Sequence, residues 1–313
     1  MIVYALRKLA LAVPTVVIVA LIVFSLMHLI PGDPAQALAG DIADPAVVEQ
    51  IRDEMGLDEP LPVQFAIWAG QVIRGNFGES IITGEPVLDA IRKRFGVTAT
   101  LVIPALLFSA LVAVPAGLLA AWKQNTATDM LTMFAVIVAI SVPSFWAGMM
   151  LILFFGVWLG WLPTVGYIPI GEDFWRGVAY LIMPISAIMF VEMGSITRMM
   201  RSNTIEVLRQ DYILHARAKG VPESAVLYRH ALKNAFAPTL TLLGLILGSL
   251  LGGAAVIETV FSLPGIGRFL VDSIYARDYP VVQGILLTVS GIYILANLLV
   301  DLLYPLLDPK VEL

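Results

Sequence analysis

The chain has 313 residues, 59% of them hydrophobic and only 14% charged, against about 25% charged in a soluble domain. With a mean hydropathy of +0.88, it carries more apolar surface than a water-soluble fold of this length could hide. The net charge of −5 and pI of about 5.2 exclude a nucleic-acid-binding chain, and the absence of cysteine excludes a disulfide framework, a thiolate metal site and a cysteine nucleophile. An integral membrane protein remains.

A membrane-crossing helix needs about 20 predominantly apolar residues. The first such run, 9–30, follows Arg7 and Lys8. A signal peptide is the alternative, with Ala37-Leu38-Ala39 imitating a cleavage site, but the run is longer than a signal core and Pro31 and Pro34 crowd the site. Segment 31–96 follows, with eleven Asp/Glu against five Lys/Arg. Pro31-Gly32-Asp33-Pro34 is a turn cluster. A short helix is expected over 45–55, with Asp44 as cap and Pro45 in the first turn. Gly56-Leu57-Asp58-Glu59-Pro60-Leu61-Pro62 breaks it, and 64–73 forms a second helix with Trp68 facing the membrane or a partner. The segment reads equally as a solvated spacer or as a docking surface. Arg92-Lys93-Arg94 closes it as a group facing lipid phosphates.

Span two is 97–121. Span three, 130–159, is longer than a crossing needs, and Pro143 bends or breaks it. Span four, 178–193, is interrupted by Pro184 and Glu192 and runs on into 194–200. The polar segment 194–236, with seven Lys/Arg against three Asp/Glu, is expected to hold one helix over 211–219. Gly220 ends that helix in the left-handed conformation, and Pro222 prevents its continuation. A second helix over 222–233 completes a hairpin that either protrudes into a groove of a soluble partner or lies on anionic lipid. Span five, 237–260, is glycine-rich at Gly244, Gly248, Gly252 and Gly253, for close helix packing or for a pore. The loop after it contains Glu258-Thr259-Val260-Phe261 and Pro264-Gly265-Ile266-Gly267. Span six is 281–303.

The Lys/Arg bias puts 1–8, 122–129, 194–236 and 304–313 inside, so six spans leave both termini cytoplasmic. Charged residues inside spans are functional hypotheses by default. Glu192 and Asp301 are read here as interfacial or as partners of Arg198 or Arg201, and Glu258 as lying at an outer mouth. Three histidines, His28, His215 and His230, are scattered without metal-site spacing.

Asp211-Tyr212-Ile213-Leu214-His215-Ala216-Arg217-Ala218-Lys219-Gly220 resembles the EAA loop of ABC-transporter permeases, in the subfamily importing dipeptides, oligopeptides, glutathione and nickel. The general pattern has Glu-Ala-Ala where this chain has Leu214-His215-Ala216, a departure usual in that branch. Arg229-His230-Ala231-Leu232-Lys233-Asn234-Ala235 also matches. So do Pro31-Gly32-Asp33-Pro34, Gly56-Leu57-Asp58 with Pro60-Leu61, Gly75-Asn76-Phe77-Gly78, Glu258 through Gly267, and Arg277-Asp278-Tyr279-Pro280-Val281-Val282-Gln283. Asn297, Asp301, Leu302, Tyr304 and Asp308-Pro309 complete an ordered set over nearly the whole chain.

The resemblance implies one all-α permease domain over 1–313, of the type I importer fold: one N-terminal helix plus a five-helix core. It implies a first-permease subunit in a bacterial cytoplasmic membrane, paired with a second homologous permease. Two cytoplasmic ATPase subunits and an external solute-binding protein would complete the system. Coupling to the ATPases would run through Asp211, His215, Ala216, Arg217, Ala218, Lys219 and Gly220, with Arg217 and Lys219 fixing register. Glu258, Phe261, Pro264, Gly265 and Gly267 would form a gate or a docking point for the binding protein, and a peptide ammonium could touch Glu258. The chain carries no GxxxxGK[ST] phosphate loop, so ATP and magnesium are expected in the partner subunits, with no cofactor, catalytic residue or metal ligand here. Nickel or another small solute is the alternative cargo. An ion-coupled secondary transporter is the alternative class; it would call for inverted repeats and central ionisable residues in broken helices. A membrane-embedded enzyme is a third reading.

Overall fold

In a computed structural model describing residues 2–29, 35–36 and 44–307, helices account for nearly all regular structure, and the described residues include no β-strand beyond one isolated bridge, Glu79 to Pro86. The turn cluster at 31–34 and the tail from Asp308 lie outside the described residues. Five helices are long and apolar enough to cross a membrane, and a sixth span results when a helix pair bent by 95° is counted as one.

Helix α1 (Ile2–Leu29) leads in. α2 (Pro45–Met55) begins as its sequence dictates: the Asp44 carboxylate accepts from the Ala46 N–H at 3.0 Å. It ends on Gly56 at φ +63°, where an L side chain would be strained. α3 (Leu61–Ile73) starts within the prolines at 60 and 62. Gln64, buried, donates to the Leu57 and Glu59 carbonyls and pins the turn between the two helices. Trp68 faces neither lipid alone nor solvent alone; it packs with Phe65 on Phe24 of α1, at ring separations of 5.5–6.0 Å.

α4 (Val87–Trp122) is 36 residues long, about 54 Å at 1.5 Å per residue, against a hydrocarbon core of about 30 Å. The excess explains the basic trio. Arg92, Lys93 and Arg94 lie near its start, each with a partner inside the chain, and Arg92 and Lys93 remain largely exposed. Lys93 meets Glu85 at 2.5 Å, Arg92 meets Asp89 at 3.6 Å, and the Arg94 guanidinium sits 3.8 Å from the Phe269 ring centre. The hydrogen bond from the Lys93 ammonium holds the Glu85 carboxyl below its usual range.

α5 (Ala127–Ser141) and α6 (Ser144–Leu151), the latter continuing as a π-helical stretch Ile152–Trp158, meet at 95° across Val142 and Pro143. Proline removes a helical donor and forces the preceding residue out of the helical region; Val142 is accordingly extended. α7 (Phe174–Leu208) is unbroken across Pro184, which is buried among its neighbours. Within a packed membrane bundle an interior proline costs one hydrogen bond and no more of the helix. The helix runs on beyond residue 200 to Leu208.

α8 (Asp211–Ala218) is followed by a helical turn, Glu223–Ala225, and a π-helical stretch, Val226–Ala231, that feed directly into α9 (Leu232–Gly253). The expected separate helix over 222–233 is thus the beginning of the fifth crossing, and Pro238 does not interrupt it. α10 (Ala255–Val260), α11 (Ile266–Tyr275) and α12 (Tyr279–Leu307) complete the chain.

α4 and α7 pack along most of their lengths; a Cβ on Gly117 would fall 2.6 Å from the Thr197 carbonyl oxygen. Glycine in α9 serves the same end. Gly244, Gly248 and Gly252 face Val300, Tyr293 and Val289 of α12, so the small-residue stripe lets two helices approach closely. The main core joins Leu101 and Ala105 of α4, Met183 and Ala187 of α7, and Ile257 and Phe261 around α10.

Candidate functional site

Two regions carry the residues singled out from the sequence, at opposite ends of the bundle.

At the first, α8 forms a hairpin with the start of the fifth crossing. The corner is Gly220, at φ +78°. Its N–H donates to the Arg217 carbonyl at 2.9 Å, and Val221 N–H donates to the Ala216 carbonyl at 3.2 Å. A Cβ there would meet nothing within 4 Å, so glycine is required by backbone conformation rather than by space. Ile213 is fully buried and anchors the helix. Asp211, His215, Ala218, Lys219 and Gly220 are exposed, Ala216 and Arg217 half-buried. Arg217, expected to fix register with a partner, is used inside the hairpin: its guanidinium grips Glu223 across the corner in two bonds, 2.7 and 3.1 Å. A second tie, unread in the sequence, joins the Asn234 amide to the Tyr212 hydroxyl at 2.6 Å, and that hydroxyl donates to the His230 carbonyl at 3.4 Å. Tyr212 stood in the quoted stretch, but nothing in its spacing to Asn234 marks a partner.

At the other end, Glu258 is 0% exposed. Its carboxylate accepts from the Arg268 N–H at 2.8 Å, from the Gly267 N–H, and from the Thr98 hydroxyl at 2.6 Å. The same hydroxyl accepts from the Ile266 N–H at 2.9 Å. The first three N–H groups of α11, which have no helical partner of their own, are therefore capped by a residue pair from α10 and α4. Gly265 and Gly267 permit this. A Cβ on Gly265 would land in the Glu258 carboxylate, and one on Gly267 would fall 2.6 Å from the Ala255 backbone nitrogen. Phe261 is buried, its carbonyl accepting from Gly166 N–H at 2.9 Å; Pro264 is exposed. Glu258 is thus not at an open mouth in this conformation: its carboxyl faces inward, with both oxygens engaged by Thr98 and the start of α11. Thr98 was missed because a single hydroxyl in an apolar run is unremarkable in sequence.

Nearby, two further stretches of the resemblance meet. Asp278, buried, accepts from the Ser80 hydroxyl at 2.5 Å and from the Ile81 N–H at 3.2 Å, while a Cβ on Gly78 would lie 3.6 Å from Pro280. The buried Gln283 amide donates to the Val23 carbonyl of α1 at 3.2 Å.

The charges within the crossings pair differently from expectation. Asp301 meets Lys8 of α1 at 2.8 Å. Arg201 grips the buried Asp129 in two bonds, 2.5 and 2.7 Å, and Asp129 also accepts from the Asn125 N–H. Neither arginine proposed as a partner for Asp301 or Glu192 serves either. Among the described residues, no cluster of His, Asp or Glu could hold a metal ion.

Residues 113–313 match the family model of the binding-protein-dependent transport system inner membrane component, and residues 1–102 match the N-terminal model of the same systems. A probable peptide ABC transporter permease protein, y4tP, of Sinorhizobium fredii is 43% identical over 99% of both chains. The dipeptide transport system permease protein DppB of Alkalihalophilus pseudofirmus is 40% identical over the full length of both. The glutathione transport system permease protein GsiC of Escherichia coli K12 is 41% identical, covering 99% of this chain and 98% of that one. A crystal structure of an amino acid ABC transporter aligns at a TM-score of 0.49 and 15% identity, over 71% of this chain and 94% of that one. The paired matches run from one end of this all-helical chain to the other, and the chain belongs to the family of binding-protein-dependent ABC transport permeases.

Proposed function

We propose that this chain is one of two permease subunits of an ATP-driven peptide importer in a bacterial cytoplasmic membrane, with both termini and the α8 hairpin on the cytoplasmic side. The observation that carries the mechanism is the continuity of the hairpin with the fifth crossing. From Glu223 to Gly252 the chain is one helical body of 30 residues, about 45 Å long. It is tied to α8 by Arg217–Glu223 and Tyr212–Asn234 at one end, and it reaches the Glu258 brace at the other. A push on an exposed, rigid α8 is therefore transmitted along a strut to the α10–α11 corner.

Two ATPase subunits, one seated on this hairpin and one on its counterpart in a second permease, would supply that push. ATP and magnesium belong to those subunits, and this chain carries out no chemistry. An external solute-binding protein would deliver cargo to the opposite face, where the α10–α11 corner and the 75–86 segment lie. Peptide cargo rests on the names of the relatives, which include a dipeptide and a glutathione permease.

The test is co-expression with the second permease, the ATPases and the binding protein, followed by purification in mild detergent and reconstitution. The expected result is ATP-dependent uptake of small peptides that requires every subunit. Uptake driven by an ion gradient without ATPase subunits would sink the reading.

A further inference from the structure

Glu192 of α7 takes part in neither the hairpin nor the Glu258 brace. Glu192 lies eighteen residues from the start of α7 and sixteen from its end, about 27 and 24 Å at 1.5 Å per residue, so it sits at mid-helix rather than near an end. It is half-buried. Among the described residues it has no hydrogen bond or ion pair: Arg201 is committed to Asp129, and Arg198 is exposed and makes no bridge to it. The Glu192 neighbours Leu250 and Ala254 belong to the fifth apolar helix and its end, and an ionisable group among apolar spans is costly and rarely left without a partner.

Glu192 instead lines a cavity of about 60 Å³ shared with Ser144, whose walls include Ile188, Leu250, Ala254 and Ile257. A water needs about 10–15 Å³ of such volume, so the space admits an ammonium group or a few waters. Four elements, α6, α7, α9 and α10, converge on this partly open cavity, with Ser144, Glu192 and Leu250 half-buried. Ser144 is the first residue after the 95° break. At a break, the last carbonyls of one helix and the first N–H groups of the next lack helical partners, and a peptide in transit carries amides that need both. Its amino terminus needs an acceptor with negative charge, which Glu192 supplies. The cavity also abuts α10, which carries Glu258, so an occupant would touch the element at the far end of the strut.

We propose that Glu192 and Ser144 form a cation-binding point in the translocation path, where the carboxylate takes the N-terminal ammonium of a peptide in transit. Naming that cation as the cargo's amino terminus rests on the peptide reading above.

The chain has no cysteine, so S144C provides a single reactive thiol, read as a mass shift of this chain within the complete transporter. During ATP turnover the thiol is reacted separately with 2-aminoethyl and with 2-sulfonatoethyl methanethiosulfonate, in S144C and in S144C/E192Q. The expected result is that E192Q lowers the cation-to-anion rate ratio about tenfold, as loss of one nearby charge in a low-dielectric path predicts. An unreactive thiol in both resting and turnover states, or an unchanged ratio, overturns the site.

In parallel, uptake of radiolabelled dialanine and trialanine by proteoliposomes is compared for the wild type, E192D and E192Q. E192Q is expected to lose most uptake and E192D to retain more. A fallen rate ratio with unaltered peptide uptake overturns the assignment to cargo and leaves a cation of the second permease. If the wild type takes up neither peptide, the peptide reading fails, and the rate ratio still decides whether the cation point exists.

Discussion

The Thr98 hydroxyl and the Glu258 carboxylate, 160 residues apart in sequence, meet at 2.6 Å in the buried interior and together cap the first turn of α11. Removing either member strands buried N–H groups, at about 1–3 kcal/mol for each left unsatisfied. T98V is expected to lower stability by about that amount, and E258A by more, since two N–H groups lose their acceptor. G265A should resemble E258A, because its new methyl displaces the same carboxylate, and the double variant E258A/G265A should be well short of additive. Thermal unfolding of the purified protein in detergent, followed by size-exclusion profile, reads all four. A T98V protein as stable as the wild type would show that the hydroxyl is incidental.

Asp129, buried, and Arg201, largely buried, form an ion pair that joins the start of α5 to the inner part of α7. Breaking one partner leaves an uncompensated charge, which costs about 3–5 kcal/mol for a buried pair. D129N and R201M should each cut expression and thermal stability sharply. The double variant D129L/R201M should recover most of the loss, because apolar replacement of both partners is often neutral. Equal damage in single and double variants would mean that Asp129 is needed for its bond to the Asn125 N–H instead.

What the sequence made legible was whatever a residue imposes on its own backbone. Asp44, Pro45 and Gly56 bound α2, Pro143 breaks the third crossing, and Gly220 turns the hairpin, because each acts within a few residues of itself. Partners were not legible. Glu258 was visible as a charge near a crossing, but its meaning depends on Thr98, and Asp301 depends on Lys8 rather than on the nearer arginines. Pro184 inside α7 was over-read for the same reason: whether a proline ends a helix in a membrane is decided by what packs around it, and Pro184 is enclosed.

Arg217 and Glu223 close the hairpin from either side of Gly220 with side chains that are half-exposed. Exposed pairs of this kind contribute about 0–1 kcal/mol to stability, so R217A should leave folding nearly intact. Its effect should appear in transport, as a loosened α8 that no longer moves with the fifth crossing. R217E and E223R should each reduce uptake severalfold, and the double reversal R217E/E223R should restore much of it. Measurement of ATP-driven uptake beside ATPase rate decides the matter. No recovery in the double variant would mean that Arg217 acts through a contact outside this chain.

Gly220 separates conformation from space, because its φ of +78° is one that L residues avoid while its surroundings are empty. Valine there is β-branched and pays the full left-handed penalty, about 1–2 kcal/mol for an ordinary residue, whereas asparagine tolerates that region far better. G220V should remain inserted and assembled, since Ile213 and the crossings are untouched, yet lose about five- to thirtyfold in uptake, the factor by which 1–2 kcal/mol shifts an equilibrium between seated and displaced α8. G220A should fall between, and G220N should stay close to wild type. Uptake and ATPase stimulation measured together should show G220V hydrolysing ATP with little transport. If G220N were as impaired as G220V, the requirement at this corner would be the absence of any side chain against a partner, and not the left-handed turn.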